Sequence, residues 1–112
     1  MSGRPYVLAE TSWKQIEHAP YDVAVLPWGA TEAHNYHLPY GTDVYESLHI
    51  AEGAAAAAWA RGARVIALPA VPFGVNTGQL DIPLTINMNP STQLAVLRDV
   101  VQSLDVQGVS KL

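Results

Sequence analysis

Two short stretches of this chain are apolar without a break: Val23–Leu26, and the segment Arg64–Leu68 from Val65 onward. Neither shows the alternation of polar and apolar residues that a strand with one wet face requires, so both read as strands covered on both faces, as in parallel sheets. Parallel neighbours need a long crossover, and the residues between them supply one in the helix-forming run that ends near Ala60. The chain is therefore expected to be α/β, with a mainly parallel sheet between helical layers.

The remaining punctuation fits that rhythm. Ser12 and Gln15 have capping-box spacing and open a short helix through Glu17, with Trp13 and Ile16 on its apolar side, stopped by Pro20. Asp43, with Glu46 three residues on, reads as the cap of the helix to Ala60, which Gly62 closes. The five alanines Ala54–Ala58 give helix propensity and close packing, and Gly53 among them suggests a tight contact. Pro69 and Pro72 end the second strand. The long segment Phe73–Asn89 holds turn residues and two short apolar pieces able to pair as edge strands, and a loop of this length is often functional. Asn89 as cap and Pro90 at the first helical position open a helix with Leu94, Leu97, Val101 and Leu104 on one face, ending at Gly108. Val109–Leu112 looks like the start of a third strand.

Composition removes several functions. Six Lys and Arg against ten Asp and Glu give a net charge of -4, with the basic residues scattered, so neither nucleic acid nor an anionic membrane is an expected partner. The longest apolar run, Gly53–Ala60, is far short of the roughly 20 residues of a membrane span. No basic segment leads into an apolar core at the N-terminus, and the absence of cysteine excludes disulfides and thiolate metal sites; a cytoplasmic location is the default. Only 14% of the residues are charged, against about 25% in ordinary soluble domains, while 49% are apolar. A chain of 112 residues with that balance should be seeking further surface to bury against.

The loop from Pro27 to Thr42 leaves the carboxyl end of the first strand, where open α/β sheets bind their ligands. Within twelve residues it and the helix start carry Glu32, His34, His37 and Asp43. In extended backbone Glu32 and His34 leave on the same face, and Asp43 can present two oxygens. Nitrogen and carboxylate donors without sulfur suit Zn²⁺, Mn²⁺ or Fe²⁺ in a catalytic site. By residue type alone the same loop also reads as polar surface with helix-capping acids.

The run Leu26-Pro27-Trp28-Gly29-Ala30-Thr31-Glu32-Ala33-His34-Asn35-Tyr36-His37-Leu38-Pro39-Tyr40-Gly41-Thr42-Asp43 resembles the signature of the creatininase (creatinine amidohydrolase) family, in which Pro-x-Gly-[Ser/Thr]-x-Glu-x-His leads through His-Leu-Pro to Thr-Asp. The resemblance extends over nearly the whole chain. It implies a three-layer α/β/α domain, usually a homo-oligomer and often a hexamer, that hydrolyses non-peptide amides, creatinine-like or formamide-type, with two divalent metals per site. It assigns Glu32 to one metal, His34 to the other and Asp43 to a bridge between them, with His37 lining the site and the long loop after the second strand near it as a pocket wall or subunit contact. Trp28, read from the sequence as core bulk, borders the site loop and is a pocket candidate. Asn35-Tyr36 stand where much of the family has Gly-Pro, which changes the pocket wall. The family's next motif, an Asn-Gly-His-Gly-Gly-Asn type loop with a further histidine ligand, is expected beyond Leu112, as are the acid/base residues. On this reading residues 1–112 are the N-terminal part of one creatininase-like domain, truncated before the second metal-binding motif and inactive alone. The rival expectation is a non-catalytic subunit or degenerate binding module of the same fold.

Overall fold

The computed structural model describes residues 3–112. The capping box forms: the Ser12 hydroxyl accepts from the Gln15 amide, the Gln15 side chain accepts from the Ser12 amide, and helix α1 spans Trp13–Ile16. Its apolar side is only partly covered: Trp13 is 80% exposed, whereas Ile16 is half-buried. Strand β1 is Val23–Val25, helix α2 Thr42–Ala60, strand β2 Val65–Ala67 and helix α3 Pro90–Val106.

β1 and β2 run parallel, with Val23 opposite Val65, Ala24 opposite Ile66 and Val25 opposite Ala67. Single parallel bridges extend the pair on both sides, Val7 to Ala67 and Lys111 to Val23. The expected third strand is thus present as one rung, in which the Ala24 amide donates to the Lys111 carbonyl at 2.9 Å. The N-terminal rung, in which the Ala67 amide donates to the Tyr6 carbonyl at 2.7 Å, had no periodic signal to announce it.

Both faces of this small sheet are covered, as the unbroken apolar runs require. Ala24, Ile66 and Leu68 pack with Val100 and Leu104 of α3, whereas Val65 and Ala67 pack with Ala55, Ala58 and Trp59 of α2. Ala55 is only 1% exposed, so the alanine run works as expected by letting the helix lie close on β2. Gly53 does not: a Cβ built there would meet nothing within 4 Å, and the residue lies on the outer side of α2. Gly62 and Gly108 end α2 and α3 in the left-handed region, with φ of 95° and 84°.

Two local expectations are corrected and one is refined. Asp43 does not cap α2; Gly41 is the cap residue and Asp43 lies in the first turn. Asn89 is the cap residue of α3 with Pro90 at its first position, as expected, but its side chain makes no capping bond, because its Oδ1 accepts from the Asn87 side-chain amide instead. Phe73–Asn89 forms no strand pair. Asn76, buried at 5% exposure, donates from Nδ2 to the Ile86 carbonyl, and its own amide donates to the Asn87 side chain, so the loop's backbone groups find side-chain partners rather than a ladder.

Candidate metal centre

The site is assembled where β1 ends. Pro27 accepts from the Val71 amide and Gly29 donates to the Val71 carbonyl, which ties the beginnings of the two post-strand loops together. The Trp28 indole donates to the Phe73 carbonyl at 2.9 Å, and the Ser47 hydroxyl donates to the Trp28 carbonyl, pinning the same segment to α2. Gly29 is required by close approach: a Cβ there would lie 2.9 Å from the backbone N and Cα of Val44. The loop therefore crosses directly over the first turn of α2, next to Asp43.

Beyond that crossing, Glu32, His34 and Asp43 converge, with one donor atom from each lying within 4.8 Å of the other two. His34 Nδ1 faces the Glu32 carbonyl at 3.2 Å, and a carbonyl can only accept, so Nδ1 carries the proton. Nε2 is directed at Asp43 Oδ1, 3.1 Å away, and donates to it in the protonated ring; a cation would take the place of that proton. Metal-ligating histidines use the same arrangement, with the second ring nitrogen donating to a carbonyl that fixes tautomer and orientation. Donor atoms bonded at about 2.0–2.2 Å to one cation lie roughly 3–3.5 Å apart. The His34 and Asp43 atoms already have that spacing, so the residues fit a divalent cation.

The three side chains are half-buried, and that crowding shifts the proton affinities of Glu32 and His34. Glu32 is held above the ordinary carboxyl range, first by burial and then by the neighbouring Asp43 carboxylate. His34 is raised above its ordinary value, chiefly by the bond to the Glu32 carbonyl and further by the negative charge of Asp43 and Glu32. A cation would relieve the repulsion that lifts Glu32.

The chain between His34 and Asp43 makes a tight turn. Asn35 adopts φ of 56°, which asparagine tolerates, and its side chain accepts from the Tyr36 amide; an antiparallel bridge then joins Leu38 to His34. His37 is exposed on this turn, outside the cluster of three. Trp28 lines a different space, a cleft of about 470 Å³ between β1, Leu97 and Leu112. A second cavity of about 560 Å³ separates the turn, through Tyr36, Leu38 and Tyr40, from Asp81–Pro83, and the Tyr40 hydroxyl donates to the Pro83 carbonyl across it. Asp81–Pro83 of the loop after β2 thus form one wall of this cavity.

Residue type and spacing missed the groups that hold the loop in place, namely Gly29, Thr31 and Ser47. The glycine was visible as turn punctuation, but its partner Val44 could be found only in three dimensions.

Residues 9–112 match the family model Creatininase, described as creatinine amidohydrolase. No curated protein matches the chain. Among solved structures, an assigned creatinine amidohydrolase from Bacteroides fragilis NCTC 9343 is 41% identical, with a TM-score of 0.86 over 98% of this chain and 44% of its own. A manganese form of creatininase is 23% identical, with a TM-score of 0.76 over 97% of this chain and 44% of its own. An E122Q creatininase of Zn–Zn type is 24% identical, with a TM-score of 0.77 over 98% of this chain and 44% of its own. The chain therefore spans less than half the length of the solved structures it matches.

Proposed function

The chain belongs to the creatininase family, and from that premise we propose that it serves a metal-dependent amidohydrolase acting on a small non-peptide or cyclic amide, creatinine-like or formamide-type, through a site holding two divalent metals. Family membership supports the reaction class. The observation that carries the rest is the convergence of Glu32, His34 and Asp43, with Nε2 of His34 held toward Asp43 by the bond from Nδ1. The manganese and Zn–Zn forms among the solved neighbours support divalent ions as the cofactor.

A divalent cation, when bound, supplies Lewis acidity that polarises an amide carbonyl and acidifies water. This chain's own residues do the holding. Glu32 offers a carboxylate whose burial favours neutralisation, His34 offers an oriented lone pair, and Asp43, anchored in the first turn of α2, offers two oxygens able to serve two ions. Three side chains leave two ions short of ligands, so we take residues 1–112 as the N-terminal part of a single domain that binds metal weakly and is inactive by itself. Assembly as a homo-oligomer belongs to the same proposal. A non-catalytic module of the same fold is the alternative, favoured by the sparse ligand set.

Metal analysis of the chain purified without chelator tests the reading. Zn²⁺ or Mn²⁺ is expected to bind, and Asp43→Ala to weaken it about a hundredfold, because both the His34 partner and the bidentate oxygens are lost. Unchanged metal binding in Asp43→Ala would sink the ligand assignment. Hydrolysis of creatinine and of formamide compounds by a chain that extends past Leu112 separates enzyme from module.

A further inference from the structure

Between the close crossing at Gly29 and the first ligand at Glu32 stands Thr31, whose side chain carries no charge and ligates nothing. Its hydroxyl donates to the Pro72 carbonyl at 2.7 Å, and its own carbonyl accepts from the Ile86 amide at 3.1 Å. Pro72 and Ile86 belong to the two ends of the segment that follows β2, so one residue is gripped by both ends of a neighbouring loop. In extended backbone adjacent side chains leave on opposite faces, so a grip on Thr31 leaves the Glu32 side chain free on the other face while fixing its backbone. That backbone matters twice, since the Glu32 carbonyl is the group that orients His34.

We propose that Thr31 is a positioning residue for the metal centre, latched between Pro72 and Ile86 so that Glu32 and His34 are held against Asp43. The assignment rests on the metal-binding reading above and concerns how the site is built. A loop from β1 presents two ligands and a helix presents the third, so their separation depends on whatever fixes the loop. The crossing of Gly29 over Val44 fixes its near end. The Thr31 latch fixes it again directly before the first ligand. Loss of the hydroxyl leaves the Pro72 carbonyl without this donor and gives Glu32 and His34 room to drift. Sub-ångström looseness of this kind lowers metal affinity more than it lowers fold stability.

The test compares Thr31→Val, which keeps the shape and loses the donor, with Thr31→Ser, which keeps the donor. Co²⁺ serves as the probe, because its absorption spectrum reports coordination geometry as well as occupancy. Thr31→Val is expected to bind Co²⁺ about tenfold more weakly with an altered spectrum, and Thr31→Ser to match the native chain in both. Native-like binding and spectrum in Thr31→Val would overturn the assignment and leave the ligand set standing. Weakened binding in Thr31→Ser would overturn it too, even if Thr31→Val failed to fold, because the hydroxyl would then not be what matters. If the native chain takes up no Co²⁺, the metal reading fails and the assignment falls with it.

Discussion

The segments that leave the carboxyl ends of β1 and β2 occupy equivalent places in the fold and have been put to different uses. The first, Pro27–Gly41, carries Glu32 and His34 and is held largely by other parts of the chain: the Val71 carbonyl, Ser47, Pro72 and Ile86. The second, Phe73–Asn89, contributes no group to the ligand cluster and is held largely by itself, through Asn76, Asn87 and the bond from the Met88 amide to the Gly74 carbonyl. A donor atom that faces a cation cannot also serve as a local brace; His34 is tied to its own loop only through Nδ1, which leaves Nε2 for an ion. The stiffness of the first segment is borrowed from α2 and from the chain after β2, at Val71, Pro72 and Ile86.

If so, damage to the two should be read out differently. The largest effect is expected from Gly29→Ala. The added carbon meets backbone atoms of Val44 that cannot rotate away, so the loop must lift from α2. Overpacking of this kind costs about 1–3 kcal/mol, and the lift separates Glu32 and His34 from Asp43. Thermal melts and metal titrations should both deteriorate, and a native affinity would break the idea that the crossing sets the site.

Asn76→Ala attacks the second segment instead. It removes the buried side-chain donor to the carbonyl of Ile86, itself an exposed residue, at a loss of about 0.5–1.5 kcal/mol. The melt should fall by that amount, while metal affinity falls less than in Gly29→Ala, because Ile86 still reaches Thr31 through its amide. Equal loss of affinity in the two variants would show that the segments are not separable.

The smallest effect concerns protons and sharpens the same contrast, since both raised groups belong to the first segment. Glu32 and His34 bind protons more tightly in the folded chain than in the unfolded one. In the metal-free chain their contribution to stability is therefore full below the ordinary values and is lost as pH rises through the raised ones. Metal competes with the same protons and reverses the sign, so affinity should fall on acidification, by up to about tenfold per pH unit for one displaced proton. Melting curves with and without Zn²⁺ across mildly acidic to neutral pH check both slopes. Parallel slopes would show that these two groups do not hold the ion.

How much of this was legible in the sequence follows from the range over which each feature is determined. Val23–Leu26 and Val65–Leu68 declared buried parallel strands because burial on both faces leaves its mark residue by residue. The Ser12–Gln15 box and the helix stops at Gly62 and Gly108 are equally local. The cluster of Glu32, His34 and Asp43 was legible as a set of candidate ligands because metal chemistry restricts residue type. Asp43 was misread as a cap because the same carboxylate suits either task, and only its 3.1 Å approach to His34 decides between them. The edge strands expected in Phe73–Asn89 failed because Asn76 and Asn87 capture backbone groups across a fold-back that no period encodes. The grip on Thr31 was invisible for the same reason.

The order of the extended pieces also bears on how the chain acquires its site in time. β1 lies inside the sheet, between Val65 on one side and Lys111 on the other, both far along the chain. Contacts between residues so distant in sequence form late, after the helices that need only their near neighbours. The loop bearing Glu32 and His34 springs from that interior strand, so these two candidate ligands are aligned with Asp43 only when nearly the whole described chain has docked, and an ion that needs all three donors would be captured near the end of folding.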